Sequence, residues 1–114
     1  MTESTDERSR RVGHNEALYR QVNERIEDLN EAFGAVTGDF AVVCECGDLD
    51  CKEQIRVSRE AYEGARAHPT RFLVRRGHEL PEVEHVVDRA DDYVVVEKDA
   101  PEAVRFAEET DPRS

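Results

Sequence analysis

The tightest constraint on how this chain can fold is one octapeptide, CECGDLDC at positions 44–51, which holds all three cysteines of the 114 residues. It follows the run FAVV, so the chain enters it as an extended strand. Cys44 and Cys46 are two apart and therefore project to the same side of that strand. Gly47 follows at once and lets the backbone turn. The segment GDLD reads as that turn, and Cys51 comes back across it. Such a segment resembles a metal knuckle with a tighter first spacing than the common C-x₂₋₄-C. An odd number of thiols argues against a disulfide framework. The polar N-terminus MTESTDERSRR has no signal-peptide character, so a cytoplasmic chain is expected, in a compartment where thiols stay reduced.

A closed zinc site needs a fourth ligand. The candidates are His14, His68, His78 and His85, with Asp48 and Asp50 inside the turn itself. His78 is the best placed. It follows Gly77 in the loop RRGHELPE, so its imidazole need not belong to a regular face. His14 adjoins the polar N-terminal segment, His68 precedes a proline, and His85 falls within a regular element. The expected site is therefore Cys₃His, formed by Cys44, Cys46, Cys51 and His78 around Zn²⁺. Two other readings remain. Cys44 and Cys46 can be small core residues with Cys51 incidental. The thiols can also form a reversible switch, since a Cys-x-Cys disulfide closes a strained, labile ring.

The rest of the chain sets the scaffold. Residues 1–13 read as a disordered arm, charged and without periodicity. An amphipathic helix follows over about 15–33, with Leu18, Val22, Ile26, Leu29 and Phe33 as its apolar stripe, Asn15 as N-cap and Gly34 as its stop. Strands are expected at DFAVVCEC, with Phe40, Val42 and Cys44 on one face, and at EQIRVS, with Ile55 and Val57 inward. Ser58 caps a short helix, REAYEGARAH, whose apolar side is Ala61, Tyr62 and Ala65. TRFLV is a further strand. VEHVVDR and DYVVVEK, joined by ADD, suggest a hairpin, although Val83, Val86 and Val87 also fit a helical spacing. Pro101 opens a last helix. This order implies an α+β fold. It is one small domain over 14–110, with a mostly antiparallel sheet of 4–5 strands, the N-terminal helix on one face, two shorter helices, and a disordered tail at 111–114.

The segments CECGDLDC, YEGARAHPTRFLV, GHELPEVEHVV and YVVVEK together resemble a family of small bacterial proteins, actinobacterial in type. Its pattern is CxCGDxxC, then EYxxxRxxPxRFxVxxGHE, then a VVEK-like strand. The resemblance spans about residues 15–98 and matches Cys44, Cys46, Cys51 and His78 to the pattern. Ala61-Tyr62 departs from the usual Glu-Tyr and touches no ligand. The family has no established activity, so the resemblance implies the site and not a reaction.

Charge narrows the function classes. The chain carries 27 acidic against 16 basic residues, a formal net charge of −11. Nucleic-acid binding requires cations to displace counterions from phosphate, so DNA and RNA are excluded as expected partners. No apolar run approaches the roughly 20 residues that span a bilayer, so no membrane partner is expected. There is no phosphate-binding glycine loop and no Ser/His/Asp signature. Arg71, Arg75 and Arg76 are expected to balance nearby carboxylates. The reading that follows is a non-enzymatic, zinc-stabilised domain that binds another protein or regulates one. The alternatives are a thiol/zinc redox sensor and, less favoured, a zinc hydrolase with Glu45 or Glu79 as general base.

Overall fold

The computed structural model describes residues 5–32 and 39–113. Their order is α1 (Thr5–Ala32), β1 (Asp39–Val43), β2 (Gln54–Ser58), α2 (Arg59–Arg66), β3 (Arg71–Arg75), β4 (Glu84–Arg89), β5 (Tyr93–Lys98) and α3 (Pro101–Glu109). The fold is α+β, as expected. All its strand pairs are antiparallel, but they form two sheets rather than one: a β1-β2 hairpin and a three-stranded sheet in the order β3-β5-β4.

Strands β3 and β5 of the three-stranded sheet are buried on both faces, which explains their continuous apolar runs, whereas β4 is mostly exposed. Leu73, Tyr93 and Val95 face one cluster, shared with Val42, Ile55, Val57, Tyr62 and Ala65 from the hairpin and α2. Phe72, Val74, Val94 and Val96 face the other, shared with Cys44, Cys46 and Ala107. The register follows from this alternation, with Phe72 opposite Val96 and Val74 opposite Val94. VEHVVDR resolves as strand: Glu84 lies opposite Lys98 and Val86 opposite Val96, with a register shift between Val86 and Asp88. Ser58 caps α2 as expected, its Oγ accepting from Ala61 N at 3.0 Å. Pro101 stands in the first turn of α3, where its missing N–H costs no hydrogen bond.

Helix α1 departs most from its sequence reading. It begins at Thr5, so the segment 5–13, expected as an arm, is helical. Asn15, expected as N-cap, lies inside the helix and donates from Nδ2 to Gly47 O at 2.8 Å. Most of the stripe faces outward: Leu18, Val22 and Leu29 are 51%, 38% and 56% exposed, and of the described stripe residues Ile26 alone packs, half-buried, against the core. The buried face is instead Glu16, Ala17, Arg20, Asn23 and Glu27. Phe33 and Gly34 lie outside the described residues.

The physical reason is that α1 packs on unpaired backbone and buried charge rather than on apolar side chains alone. Among the described residues β1 pairs only with β2, which leaves its other edge without a strand neighbour. Asn23 closes that edge: Nδ2 donates to Val43 O at 2.9 Å, and Oδ1 accepts from Val43 N at 2.9 Å. Arg20 donates to Pro69 O at 2.5 Å and to Ala107 O at 2.9 Å, with its guanidinium 4.6 Å from the centre of the Phe72 ring. Buried backbone groups must find partners, and here long polar side chains supply them. The segment after α3 is tied down too, since Arg113 pairs with Glu24 at 2.9 Å, Glu27 at 3.0 Å and Glu63 at 2.5 Å. Residues 111–113, expected as a free tail, are therefore held against α1 and α2.

Candidate metal centre

Four ligand atoms, the sulfurs of Cys44, Cys46 and Cys51 and one ring nitrogen of His78, lie within 4.8 Å of one another. Three local structures bring them there. Cys44 continues β1, its N–H donating to Glu53 O at 3.0 Å and so extending the hairpin by one rung. Gly47 then turns the chain at φ +82°. A side chain at that position would also meet Val12, since a Cβ would stand 2.8 Å from Val12 Cγ1 and 2.9 Å from Val12 O. Only glycine allows the turn to lie against α1. Asp48 shapes the return, with its Oδ1 accepting from Asp50 N at 2.9 Å and its carbonyl accepting from Cys51 N at 3.0 Å.

His78 arrives from the end of β3. Gly77, at φ +91°, reverses the chain, and His78 N donates to Arg75 O at 2.9 Å. The imidazole Nδ1 is then 3.5 Å from Cys44 Sγ and 3.6 Å from Cys51 Sγ. Arg75 N donates to Cys44 Sγ at 3.2 Å, the backbone N–H to sulfur contact that steadies a thiolate. Cys44 and Cys46 are buried, while Cys51 and His78 are half-buried. The other histidines are elsewhere. His14 stacks edge-on against Phe106 at 4.9 Å, and His85 is exposed beside Asp99 at 2.9 Å.

The thiols differ in acidity for visible reasons. Cys46 is lowered to about 5 by the hydrogen bond from the Cys44 thiol, helped by the Asp48 backbone and by His78 and Cys51. Cys44 is raised, first by that same hydrogen bond and then by burial. Cys51 is raised mainly by burial. One sulfur thus collects donors from all its neighbours, the chemistry of a group suited to a soft cation.

Glu45, the spacer between two ligands, has a role the sequence reading did not anticipate. It is neither a solvated glutamate nor a base facing the sulfurs. Its side chain is fully buried and accepts from Arg66 at 2.7 and 3.1 Å, from Asn23 at 2.6 Å and from Leu73 N at 2.9 Å. Its own N–H donates to Leu73 O at 2.9 Å. Glu45 therefore acts as a strand neighbour for the outer edge of β3 and fixes the peptide that carries Cys44 and Cys46. Strand alternation held the one clue: if Cys44 and Cys46 face one side, the residue between them faces the other. Of the flanking arginines, Arg71 pairs with Glu97 at 3.3 Å and Arg75 with Glu53 at 3.7 Å, as expected.

Compared with family models, curated proteins and solved structures, the chain gives no match.

Proposed function

We propose that the chain is a non-enzymatic, zinc-stabilised domain that serves as a protein-interaction or regulatory module, with Cys44, Cys46, Cys51 and His78 as the zinc ligands. The observation that carries this reading is the convergence of the four ligand atoms within 4.8 Å from two separate stretches of chain, the octapeptide 44–51 and the loop that carries His78. The donor set suits the ion. Three thiolates and one imidazole form a recurring closed zinc site, whereas iron–sulfur clusters ordinarily take four cysteines. Bound zinc supplies a crosslink, tying the hairpin turn to the loop after β3. Three thiolates also make a poor Lewis acid, and Glu45 has no spare lone pair for base catalysis, which favours a structural role.

The interaction half of the proposal draws on the exposed apolar residues of α1, Leu18, Val22 and Leu29, and on the net charge of −11, which favours a basic partner. The resemblance to the CxCGDxxC…GHE family supports the ligand set. Among the described residues no helix is long and apolar enough to cross a membrane. The deciding experiment is elemental analysis of the purified chain with cobalt substitution. The expected result is one zinc per chain and a cobalt spectrum of tetrahedral S₃N type. Substoichiometric metal after purification without chelators refutes the reading. Cys51 is the half-buried thiol, which keeps the redox-sensor alternative in play. Peroxide titration decides it, since retained zinc and an unchanged thiol count exclude a switch.

A further inference from the structure

The sheet face that carries the sulfurs at one end carries a different chemistry at the other. Beyond Val96, the next residue of β5 on that face is Lys98, and its Nζ lies 2.6 Å from Glu16 Oε2 of α1 and 2.5 Å from Glu84 Oε1 of β4. The three side chains are 3%, 4% and 1% exposed. Two carboxylates thus share one ammonium. Glu84 is satisfied on both oxygens, because Leu80 N donates to its Oε2 at 2.8 Å. Glu16 is the acid that meets open space. It lines a cavity of about 490 Å³ between the N-terminal half of α1 and α3, floored by Phe72 and Lys98. The apolar wall is Val12, Leu80, Val83 and Phe106. Exposed lining residues include Glu82, Glu102 and Glu109 against Arg10 and Arg105.

The geometry points to a binding site for a small organic amine, its ammonium group beside Glu16 and its hydrocarbon part against Val12, Leu80, Val83 and Phe106. The volume lies within the range of about 300–1,000 Å³ typical of small-molecule sites. Charge selects the class of ligand. A buried carboxylate is stable only when paired, and here two carboxylates share the one Lys98 ammonium, since the buried Arg20 guanidinium, also by the Phe72 ring, gives its hydrogen bonds to Pro69 O, Ala107 O and Thr110 Oγ1 instead. An anionic headgroup would have to take Lys98 from two carboxylates already within hydrogen-bond distance. A neutral headgroup would leave the imbalance in place. Burial pushes Glu16 up to about 7 despite Lys98, which agrees with a group that a second cation would favour.

The test uses three probes of equal chain length, hexylammonium, hexanoate and hexanol, titrated at pH 8 into the full chain as purified and followed by amide chemical shifts. The expected result is saturable shifts for hexylammonium at Leu80, Val83, Ala103 and Phe106, with hexanoate at least tenfold weaker. Glu16→Gln should weaken the amine at least tenfold and leave hexanol unchanged. Because that variant disturbs a buried ion pair, Ala103→Leu is measured beside it. It fills the cavity from α3 and should abolish amine binding while metal content stays as in the parent. Hexanoate or hexanol binding as tightly as the amine, shifts that do not saturate, or amine binding unaffected by Ala103→Leu would each overturn the proposal.

Discussion

One face of the β3-β5-β4 sheet ends in two sites built on opposite terms. At the Val74 end, sulfurs and an imidazole converge, and the acid between two of the ligands in sequence, Glu45, is saturated by Arg66, Asn23 and Leu73 N. At the Lys98 end, two acids share one lysine beside an open cavity. Helix α1 serves both, with Asn15 and Asn23 holding the metal end and Glu16 completing the other. The contrast teaches that burial of an acid is not one condition. Glu45 is a backbone-like connector whose charge is matched. Glu16 is a group whose charge waits on its surroundings. The first kind stabilises a fixed geometry, and the second responds to pH or to a ligand.

The comparison breaks first if Glu45 proves dispensable. Glu45→Ala leaves Arg66 buried and unpaired and removes the partner of the β3 edge. Breaking a buried pair by deleting one member costs about 3–5 kcal/mol, and a loss of that size in urea unfolding is the expected outcome. A loss under about 1 kcal/mol would mean that the metal end does not depend on its acid.

The other end should instead show itself in pH. Glu16 has an ordinary value of 4.5 and is pushed to about 7 by burial, against the pull of Lys98 and with repulsion from Glu84 and Glu45. Its folded-state value is the higher one, so between those two values the folded chain keeps a proton that the unfolded chain has released. The contribution is complete below pH 4.5 and is lost as pH rises through about 7. The size is on the order of 3 kcal/mol over the window. Glu27, raised to about 7 by burial beside Glu63, slopes the same way, so the difference between the parent and Glu16→Gln isolates Glu16. Parallel stability curves for the two chains would refute the assignment.

Metal removal acts at the sulfur end alone. With free zinc held 100-fold above its dissociation constant, binding to the folded state adds about 2.7 kcal/mol, which a chelator should abolish. The Cys51→Ser variant should show little further loss on chelation. Amide shifts at Lys98 and Phe106 should change less than those at Gly47 and His78.

The two ends were not equally legible in the sequence. The metal end was readable because its ligands are local: a two-residue spacing, a glycine turn, and a histidine after another glycine. The β3 and β5 strands were readable because burial on both faces leaves unbroken apolar runs, FLV at 72–74 and YVVV at 93–96. The Lys98 end was not readable. Glu16, Glu84 and Lys98 look like ordinary surface residues, and only the register opposing Glu84 to Lys98, with α1 laid across them, creates the cluster. The face of α1 misled for a related reason. Its buried polar residues answer backbone groups distant in sequence, Val43 for Asn23 and Pro69 for Arg20, and no local periodicity encodes such partners.

That inversion supplies the smallest and most discriminating test. Leu18 and Ala17 are adjacent, but Leu18 is 51% exposed and Ala17 is 8% exposed. If α1 packed through its apolar stripe, Leu18→Glu would strip a core contact and cost several kcal/mol. With the polar face inward, Leu18→Glu should change stability by no more than about 0.5 kcal/mol. Ala17→Leu, a milder change in chemical terms, should instead cost about 1–3 kcal/mol by overpacking the buried side of the helix. Urea unfolding of the two single variants decides which face of α1 is inside. A reversed order of costs would restore the stripe to the core and release Asn23 and Glu16 from the sites assigned to them.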